Sequence, residues 1–365
     1  MGECNLCHIS SKHTSKTLGV CLKCIRQGPE QALEITTRAH QKSRAAVRLP
    51  EKPPRDPAGF SCNVCVNECR IGDGSTGYCG LRKNDGGKLT GVTIEFGKLS
   101  WYHDPLPTNC VADWVCPGGT GAGYPKYAYC QGAESGYRNL AVFFHACSFN
   151  CLFCQNWHFK EETFKPDTIS VRSLLAAVDK KTACICYFGG DPASQLPLSL
   201  KASRLAIKEN PDRILRVCWE TNGSMNPKLL DQMMDIAIRS GGCVKFDLKA
   251  WDENLHQALT GVANHRTLDN FVRAAQTSMH RPLPPPLIAN TLLVPGYIDA
   301  GEISAIAKFI ASINPNIPYS LLAFHPQFFM SDLPLMSKSL ADDCLMAARD
   351  AGLNRARLGN VHLLV

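Results

Sequence analysis

The chain has 365 residues, which is more than one compact module needs and predicts two or three units. Apolar residues make up 45% and charged residues 19%, so the chain can bury a full core, which excludes a disordered protein. The net charge of +7 is spread along the chain. It permits contact with nucleic acid or an anionic membrane without arguing for either.

Cysteine is the informative residue type, with nineteen copies. Met1–Ser10 lacks the charged start and apolar stretch of a secretion signal, and no apolar run approaches the roughly 20 residues that span a membrane. We therefore expect a cytoplasmic, oxygen-sensitive protein whose cysteines bind metals rather than form disulfides.

The first cysteines form two Cys-x2-Cys pairs separated by thirteen residues: Cys4, Cys7, Cys21 and Cys24. This spacing is typical of a zinc ribbon, in which four thiolates close a tetrahedral Zn²⁺ site. A unit this short has too small a core to fold unaided, so residues 1–28 are predicted to be a zinc-stabilised module. A finger that docks a substrate or partner is the functional alternative.

Residues 29–58 are predicted to form a helix, from Pro29 to Arg48, and a proline-rich linker. A cysteine-rich accessory region follows at 59–137, and its residues from 101 onward look like ordered loop. Its first four cysteines suit either Zn²⁺ or an auxiliary iron–sulfur cluster, and the spacing does not separate the two. They are Cys62, Cys65, Cys69 and Cys79.

Eight further cysteines have no clear ligand spacing. Cys110, Cys116 and Cys130 lie in the loop region and could ligate another cluster, although a structural role suits their irregular spacing better. The other five fall within apolar strands or a helix, where buried small hydrophobic side chains are the default interpretation. These are Cys184, Cys186, Cys218, Cys243 and Cys344.

Beyond Tyr137, short continuous apolar runs alternate with helical patterns, which predicts parallel strands covered by helices. The predicted strands are Leu140–His145, Ala183–Phe188, Ile214–Trp219, Cys243–Leu248, Ile288–Val294, Tyr319–Phe324 and Ala356–Leu358. The predicted helices are Val171–Lys180, Leu198–Glu209, Pro227–Ser240, Thr267–Met279, Ala300–Ile313 and Lys338–Ala351. This pattern favours an α/β fold with a partial (β/α)6 TIM-like barrel at 138–365 over a doubly wound sheet.

Three cysteines, Cys147, Cys151 and Cys154, follow the first barrel strand. Reactive groups of parallel β/α folds belong at the carboxyl ends of strands. Three thiolates so spaced can hold three irons of a [4Fe–4S] cubane and leave the fourth open to chelate an amino acid moiety. A zinc knuckle or a chance cluster is the alternative.

The motif Cys-x3-Cys-x-Phe-Cys resembles the signature of the radical S-adenosylmethionine (SAM) family. Successive strand ends add to the resemblance, which extends over residues 139–330, and their ordered series is similar to pyruvate formate-lyase activating enzymes and the broader family of activase-like radical SAM proteins. Those ends read Gly189–Pro192, Glu220–Gly223, Asp247–Lys249, Val294–Gly296 and Phe324–Pro326. The second cysteine set and Gly359–His362 are similar to the AmmeMemoRadiSam group of radical SAM proteins.

The resemblance implies SAM contacts from Phe153, Gly189, Gly190, Asp191, Glu220, Asn222, Asp247, Lys249 and His325. Lys249 would pair with the SAM carboxylate, and the two glycines and Asp191 would meet its amino group. Glu220 and Asp247 could instead be ordinary caps, and His325 a core histidine. One departure is Asn290, because the activases carry Arg at that position.

The function implied by the resemblance is reductive cleavage of SAM to a 5′-deoxyadenosyl radical that abstracts hydrogen from a substrate. A flavodoxin or ferredoxin would supply the electron, and the substrate could be a small molecule, a lipid or a peptide. Installing a glycyl radical on a partner enzyme is the alternative within this class. A zinc-ribbon nucleic-acid-binding or scaffold protein is the alternative outside it, but no aromatic–basic stacking surface supports a nucleic-acid partner.

Overall fold

The computed structural model describes residues 1–365. One sheet of eight strands organises most of the chain, and the strands lie side by side in chain order. The strands are β1 (Leu99–Pro105), β2 (Arg138–Phe144), β3 (Thr182–Gly189), β4 (Arg216–Thr221), β5 (Val244–Asp247), β6 (Leu287–Leu293), β7 (Tyr319–Ala323) and β8 (Ala356–Gly359).

Strands β2 to β8 are parallel, as their continuous apolar runs predict. All seven predicted strands are confirmed. Strand β1 corrects the prediction of loop from residue 101, because it pairs antiparallel with β2 along its whole length. Its sequence, Leu-Ser-Trp-Tyr-His-Asp-Pro, has half-buried residues and lacks the apolar run that reveals the other strands. No hydrogen bonds join β1 to β8, so the sheet is open at this seam.

Helices follow most strands and cover one face of the sheet. They span Val171–Leu175, Leu196–Glu209, Pro227–Ser240, Glu253–Thr260, His265–Ser278, Ala300–Ile313 and Lys338–Asp350, with short turns at Pro117–Thr120, Phe159–Glu162, Pro192–Gln195, Phe328–Met330 and Val361–Leu363. Two predictions need correction: the helix at Val171 ends five residues early, and Glu253–Thr260 is an additional helix. None of these helices has the length and apolar character needed to cross a membrane.

The N-terminal segment packs onto the helical layer instead of standing apart. It contains a hairpin (Gly2–Glu3 with Ser10–Ser11), α1 (Leu22–Gln27) and α2 (Pro29–Ala45). Cys4 and Ile25 belong to the same core cluster as residues of the sheet and its helices. The Tyr297 hydroxyl ties this segment to the loop after β6, because it accepts from Ser15 N–H at 3.0 Å and donates to the Val20 carbonyl at 2.9 Å.

The accessory region consists of small antiparallel pairs: Phe60–Ser61 with Arg70–Ile71, Arg82–Asp85 with Lys88–Gly91, and Phe96–Gly97 with Ile169–Ser170. Backbone hydrogen bonds fasten it to the loop after β4. Val66 N–H donates to the Ser224 carbonyl at 2.8 Å, and Asn226 N–H donates to the Val64 carbonyl at 2.9 Å. The second cysteine set therefore lies beside the carboxyl edge of the sheet.

Residues 106–137 pack against the face of the sheet that the helices leave free. Leu106, Ala112 and Val115 form a second core with strand residues that include four of the five cysteines predicted to be buried: Cys184, Cys186, Cys218 and Cys243. The predicted burial of these cysteines is confirmed. A buried ion pair holds the segment in place, since the Arg216 guanidinium donates to both carboxylate oxygens of Glu134, one of them at 2.8 Å.

We predict that Glu134→Ala lowers the free energy of unfolding by about 3–5 kcal/mol, because it leaves the Arg216 cation buried without its anion. Glu209→Ala is the matched control. Its partner is Arg172, and the two side chains are 44% and 70% exposed, so the loss should stay below about 1 kcal/mol. Anaerobic urea unfolding measures both variants. Equal losses would mean that the Glu134–Arg216 pair does not anchor the segment.

Candidate functional site

The loop after β2 carries Cys147, Cys151 and Cys154 to the carboxyl edge of the sheet, where they line a cavity of about 190 Å³. Eight of the nine SAM-binding residues that the resemblance predicts line the same cavity. They are Phe153, Gly189, Gly190, Asp191, Glu220, Asn222, Asp247 and Lys249. Residues from the ends of β3, β4 and β5 meet because parallel strands place their carboxyl ends at one edge.

The ninth residue, His325, is not among the residues lining either large cavity. It is exposed, and its Nδ1 atom lies 3.3 Å from the amide nitrogen of Gln327. The alternative of a buried core histidine does not describe it either. A role for His325 near the ribose or adenine stays a prediction.

Glycine is required where β3 ends, because the backbone of the cysteine loop passes directly over it. Gly189 has a φ of +103°, and a Cβ there would lie 2.3 Å from the Phe144 nitrogen. A Cβ on Gly190 would lie 2.2 Å from the Ala146 carbonyl oxygen. Neither position can accept a side chain without moving the loop that carries the three cysteines.

The Asp191 carboxylate is occupied by protein donors. It accepts from Ala193 N–H at 2.7 Å, Asn222 N–H at 2.6 Å and the Thr221 hydroxyl at 3.0 Å. Burial raises the pKa of Asp191 to about 7, against the opposing effect of these hydrogen bonds. The side chain thus joins the ends of β3 and β4, and it is the backbone beside it that faces the cavity opening.

Two amide side chains hold the cysteine loop. Asn222 Nδ2 donates to the Ser148 hydroxyl at 2.8 Å and lies 3.7 Å from Cys147 Sγ. Asn150 Nδ2 lies 3.0 Å from His40 Nδ1 on α2, while Lys160 Nζ donates to Asn150 Oδ1 at 3.1 Å. Sequence reasoning missed Asn150, which occupies a variable position between the first two cysteines of the motif, and Lys160, which lies outside the motif.

Two lysines line the cavity, Lys160 and Lys249, and Lys249 forms an ion pair with Asp247. Burial lowers the pKa of Lys249, but the neighbouring Asp247 carboxylate and other anions outweigh it, so the net shift is upward and the ammonium stays charged. Asn290 Nδ2 donates to Asp247 at 2.9 Å, and its Oδ1 atom is buried and has no hydrogen-bond partner. A neutral amide therefore lies beside Asp247 at this position.

Lys245 is a further buried cation that sequence reasoning missed. Its Nζ atom lies 3.5 Å from Glu220 Oε2 and 3.2 Å from Cys110 Sγ, and the side chain is 1% exposed. Burial raises the pKa of Glu220, and Lys245 opposes this shift. Alternation along β5 was the available signal, because Lys245 shares a face with Asp247.

A second cavity of about 420 Å³ adjoins the first. Both cavities are lined by Phe143, Phe188 and Glu220, so the two spaces are neighbours. Cys110 lines only the second cavity, and the three loop cysteines line only the first. The site thus has room for a cofactor beside the loop cysteines and for a further molecule next to it.

The loop cysteines fit a polynuclear cluster better than a single metal ion. Burial raises the pKa of Cys147, Cys151 and Cys154, so these thiols stay protonated unless a metal displaces the protons. Their three sulfurs do not all lie within 4.8 Å of one another. Ligands of a cubane bind separate irons and lie farther apart than ligands of one ion. The donor set therefore agrees with a [4Fe–4S] cluster.

The N-terminal cysteines have the opposite arrangement. The four sulfur atoms of Cys4, Cys7, Cys21 and Cys24 all lie within 4.8 Å of one another. Cys7 Sγ is 3.9 Å from Cys21 Sγ, and tetrahedral Zn–S bonds of about 2.3 Å require a separation of about 3.8 Å. The structure brings these residues together as a site for a single metal ion.

Comparison with known proteins agrees with this geometry. Residues 141–310 match the model of the radical SAM superfamily. The matched segment begins in β2 and ends in the helix Ala300–Ile313, so it includes the cysteine loop and the ends of β3 to β6. The upstream cysteine sets lie outside it.

Three relatives illustrate the extent of the similarity. A Methanocaldococcus jannaschii protein named as a glycyl-radical enzyme activating enzyme is 26% identical over 187 residues, or 51% of this chain and 67% of that protein. An uncharacterized protein from the same organism is 23% identical over 313 residues, or 82% of this chain and 81% of that protein. Pyruvate formate-lyase 1-activating enzyme of Escherichia coli (strain K12) is 28% identical over 138 residues, 35% of this chain and 52% of that enzyme.

The match thus covers about half of the Escherichia coli enzyme. A nucleic-acid scaffold does not account for the radical SAM segment or for relatives named as activating enzymes. The chain therefore carries a radical SAM domain and is an enzyme homologous to glycyl-radical and pyruvate formate-lyase activating enzymes.

Proposed function

We propose that the protein binds a [4Fe–4S] cluster and SAM in the first cavity and uses them to abstract hydrogen from a substrate in the second. The observation that carries this proposal is the convergence of three loop cysteines and eight predicted SAM contacts on one cavity. When bound and reduced, the cluster supplies the electron that cleaves SAM into methionine and a 5′-deoxyadenosyl radical.

The chain's own residues would position the cofactor. Lys160 and Lys249 are the cations that line the cavity. Lys249 is the one that we assign to the SAM carboxylate, in place of the guanidinium that Asn290 lacks, because Lys160 Nζ already donates to Asn150 Oδ1. Phe153 lies beneath Lys249, with the ammonium 5.8 Å from the ring centroid, and offers an apolar surface to the adenine.

A curved sheet supports a partial (β/α)6 barrel as the scaffold. Tyr102 on β1 and Gly359 on β8 line the same cavity although they stand on opposite edges of the sheet. In a flat sheet of eight strands, spaced about 4.8 Å apart, the two edges would be too distant to share a cavity. We propose that the strands β2 to β7, each with its following helix, form the six barrel units.

Activation of a partner enzyme by a glycyl radical is the second candidate function. The names of the Methanocaldococcus and Escherichia coli relatives favour it. Its substrate would be a glycine of a protein, and an electron donor such as flavodoxin or ferredoxin would be the other partner. Deuterium transfer from α-deuterated glycine of a partner protein into 5′-deoxyadenosine supports it, whereas transfer from a small molecule, lipid or free peptide favours the broader proposal.

We expect Cys151→Ala to lose about four irons per chain and all reductive SAM cleavage, because the cubane loses one of three ligands. Zinc at the N-terminal cysteines should be retained. Cys130→Ala is the control, since its sulfur contacts only the carbonyl oxygens of Gly132 and Ala133. Metal analysis and 5′-deoxyadenosine formation with dithionite measure the outcome. SAM cleavage by the Cys151 variant would refute the ligand assignment.

Lys249→Ala should weaken SAM binding about ten- to hundredfold, because a hydrogen bond to a charged group contributes about 1.5–3 kcal/mol. Iron content should stay unchanged. The exposed Lys308, which has no ion-pair partner, gives the matched variant Lys308→Ala. Equilibrium dialysis with labelled SAM measures the affinity of the iron-loaded proteins. An unaltered affinity of the Lys249 variant would show that another group binds the SAM carboxylate.

A further inference from the structure

The cysteines at 62, 65, 69 and 79 take no part in the site described above. They line one small pocket, and the remaining walls include Val64, Ile71 and Tyr78. The four residues come from separate turns of the accessory region and converge on this pocket. Four thiols that line one pocket form a candidate site for a metal ion or an iron–sulfur cluster.

The spacing of the sulfurs distinguishes a single ion from a cluster. No three of these four sulfurs lie within 4.8 Å of one another, whereas all four N-terminal sulfurs do. One tetrahedral zinc ion requires S–S separations of about 3.8 Å. The loop cysteines at 147, 151 and 154 show the same wider spacing as the second set. The second set is therefore arranged like the cluster ligands and unlike the zinc-type site.

A buried cation beside the pocket requires nearby anions. Arg44 on α2 is 1% exposed, and its guanidinium lies 3.4 Å from the centroid of the Tyr78 ring. Its hydrogen bonds go to the carbonyl oxygens of Pro50 and Tyr78, and no carboxylate forms an ion pair with it. Thiolates that bind a metal supply the negative charge that such a cation needs.

Residues around the pocket also place N–H groups near the sulfur atoms, and one of them contacts the cysteine loop directly. Tyr78 N–H lies 3.4 Å from Cys69 Sγ, and the amide of Asn67 lies 3.8 Å from Cys65 Sγ. The same Asn67 amide donates to the Ser148 carbonyl at 2.7 Å. Hydrogen bonds to sulfur tune iron–sulfur clusters, and Ser148 directly follows Cys147 in the chain.

From these four observations we infer that Cys62, Cys65, Cys69 and Cys79 bind a second, auxiliary iron–sulfur cluster rather than a zinc ion. The site stands apart from the proposed SAM cleavage, because its ligands belong to a different segment of the chain. A protein can therefore lose one of the two clusters and keep the other.

Metal analysis of the full-length protein, purified without oxygen, tests the inference. The wild-type protein should contain about eight irons and about one zinc per chain. The triple variant Cys147→Ala/Cys151→Ala/Cys154→Ala should keep about four irons and the zinc. A folded triple variant with no iron would overturn the inference, whether or not it contains a second zinc ion.

The reciprocal variant Cys62→Ala/Cys65→Ala should retain about four irons and still cleave SAM with dithionite as reductant. Cys344→Ala is its control, because this cysteine is buried in the helix Lys338–Asp350. A Cys62/Cys65 variant that keeps all the iron of the wild-type protein would overturn the inference.

A spectroscopic measurement on the wild-type protein does not depend on any variant being stable. Electron paramagnetic resonance of the reduced protein should show two clusters, and added SAM should change the signal of only one. A single cluster signal that SAM changes completely would overturn the inference. Loss of SAM cleavage with both signals intact would instead argue against the proposed function alone.

Discussion

Two backbone hydrogen bonds join the end of β3 to the loop that carries the three cysteines. Gly190 N–H donates to the Phe144 carbonyl and Asp191 N–H to the Ala146 carbonyl, each at 2.8 Å. Their geometry brings two backbones so close together that a Cβ on Gly189 or Gly190 would collide with the neighbouring main chain, and only glycine permits this. The Asp191 carboxylate then extends the contact to β4. Main-chain packing thus determines the shape of this part of the cavity.

The parallel strands could be predicted because each is a buried apolar run, and the edge they share could be predicted from the topology of parallel sheets. Eight of nine predicted SAM contacts reach the cavity for this reason. Strand β1 was missed because an edge strand with one solvent-exposed face contains both polar and apolar residues. Lys160 and Lys245 were missed because their importance arises from burial beside anions. Burial of a charged side chain depends on tertiary packing, and no local sequence pattern predicts it.

Cysteine serves three purposes in this chain. The positions of the sulfur atoms in the structure separate these purposes better than the spacing of the cysteines in the sequence. The four N-terminal sulfurs lie within 4.8 Å of one another, and the three loop cysteines line one cavity. The cysteines at 184, 186, 218 and 243 pack between residues 106–137 and the sheet. Cys-x2-Cys occurs in both upstream sets, yet their sulfur geometries differ. The difference follows from the backbone: the first set lies on a hairpin and α1, and the second on separate turns.

Helix α2 connects the N-terminal cysteine site with the loop that carries Cys147, Cys151 and Cys154. It begins directly after α1, which carries Cys24, and farther along its His40 contacts Asn150 between the cysteines of the catalytic loop. Burial lowers the pKa of His40 to about 4, so the neutral ring accepts from Asn150 and donates to the Ala258 carbonyl at 3.0 Å. Helix α2 thus links the two regions through direct contacts. Ser43 on the same helix accepts from Asn150 Nδ2 at 2.7 Å, so a displacement of α2 would remove two hydrogen-bond partners from Asn150, and the position of the helix and that of the loop depend on each other.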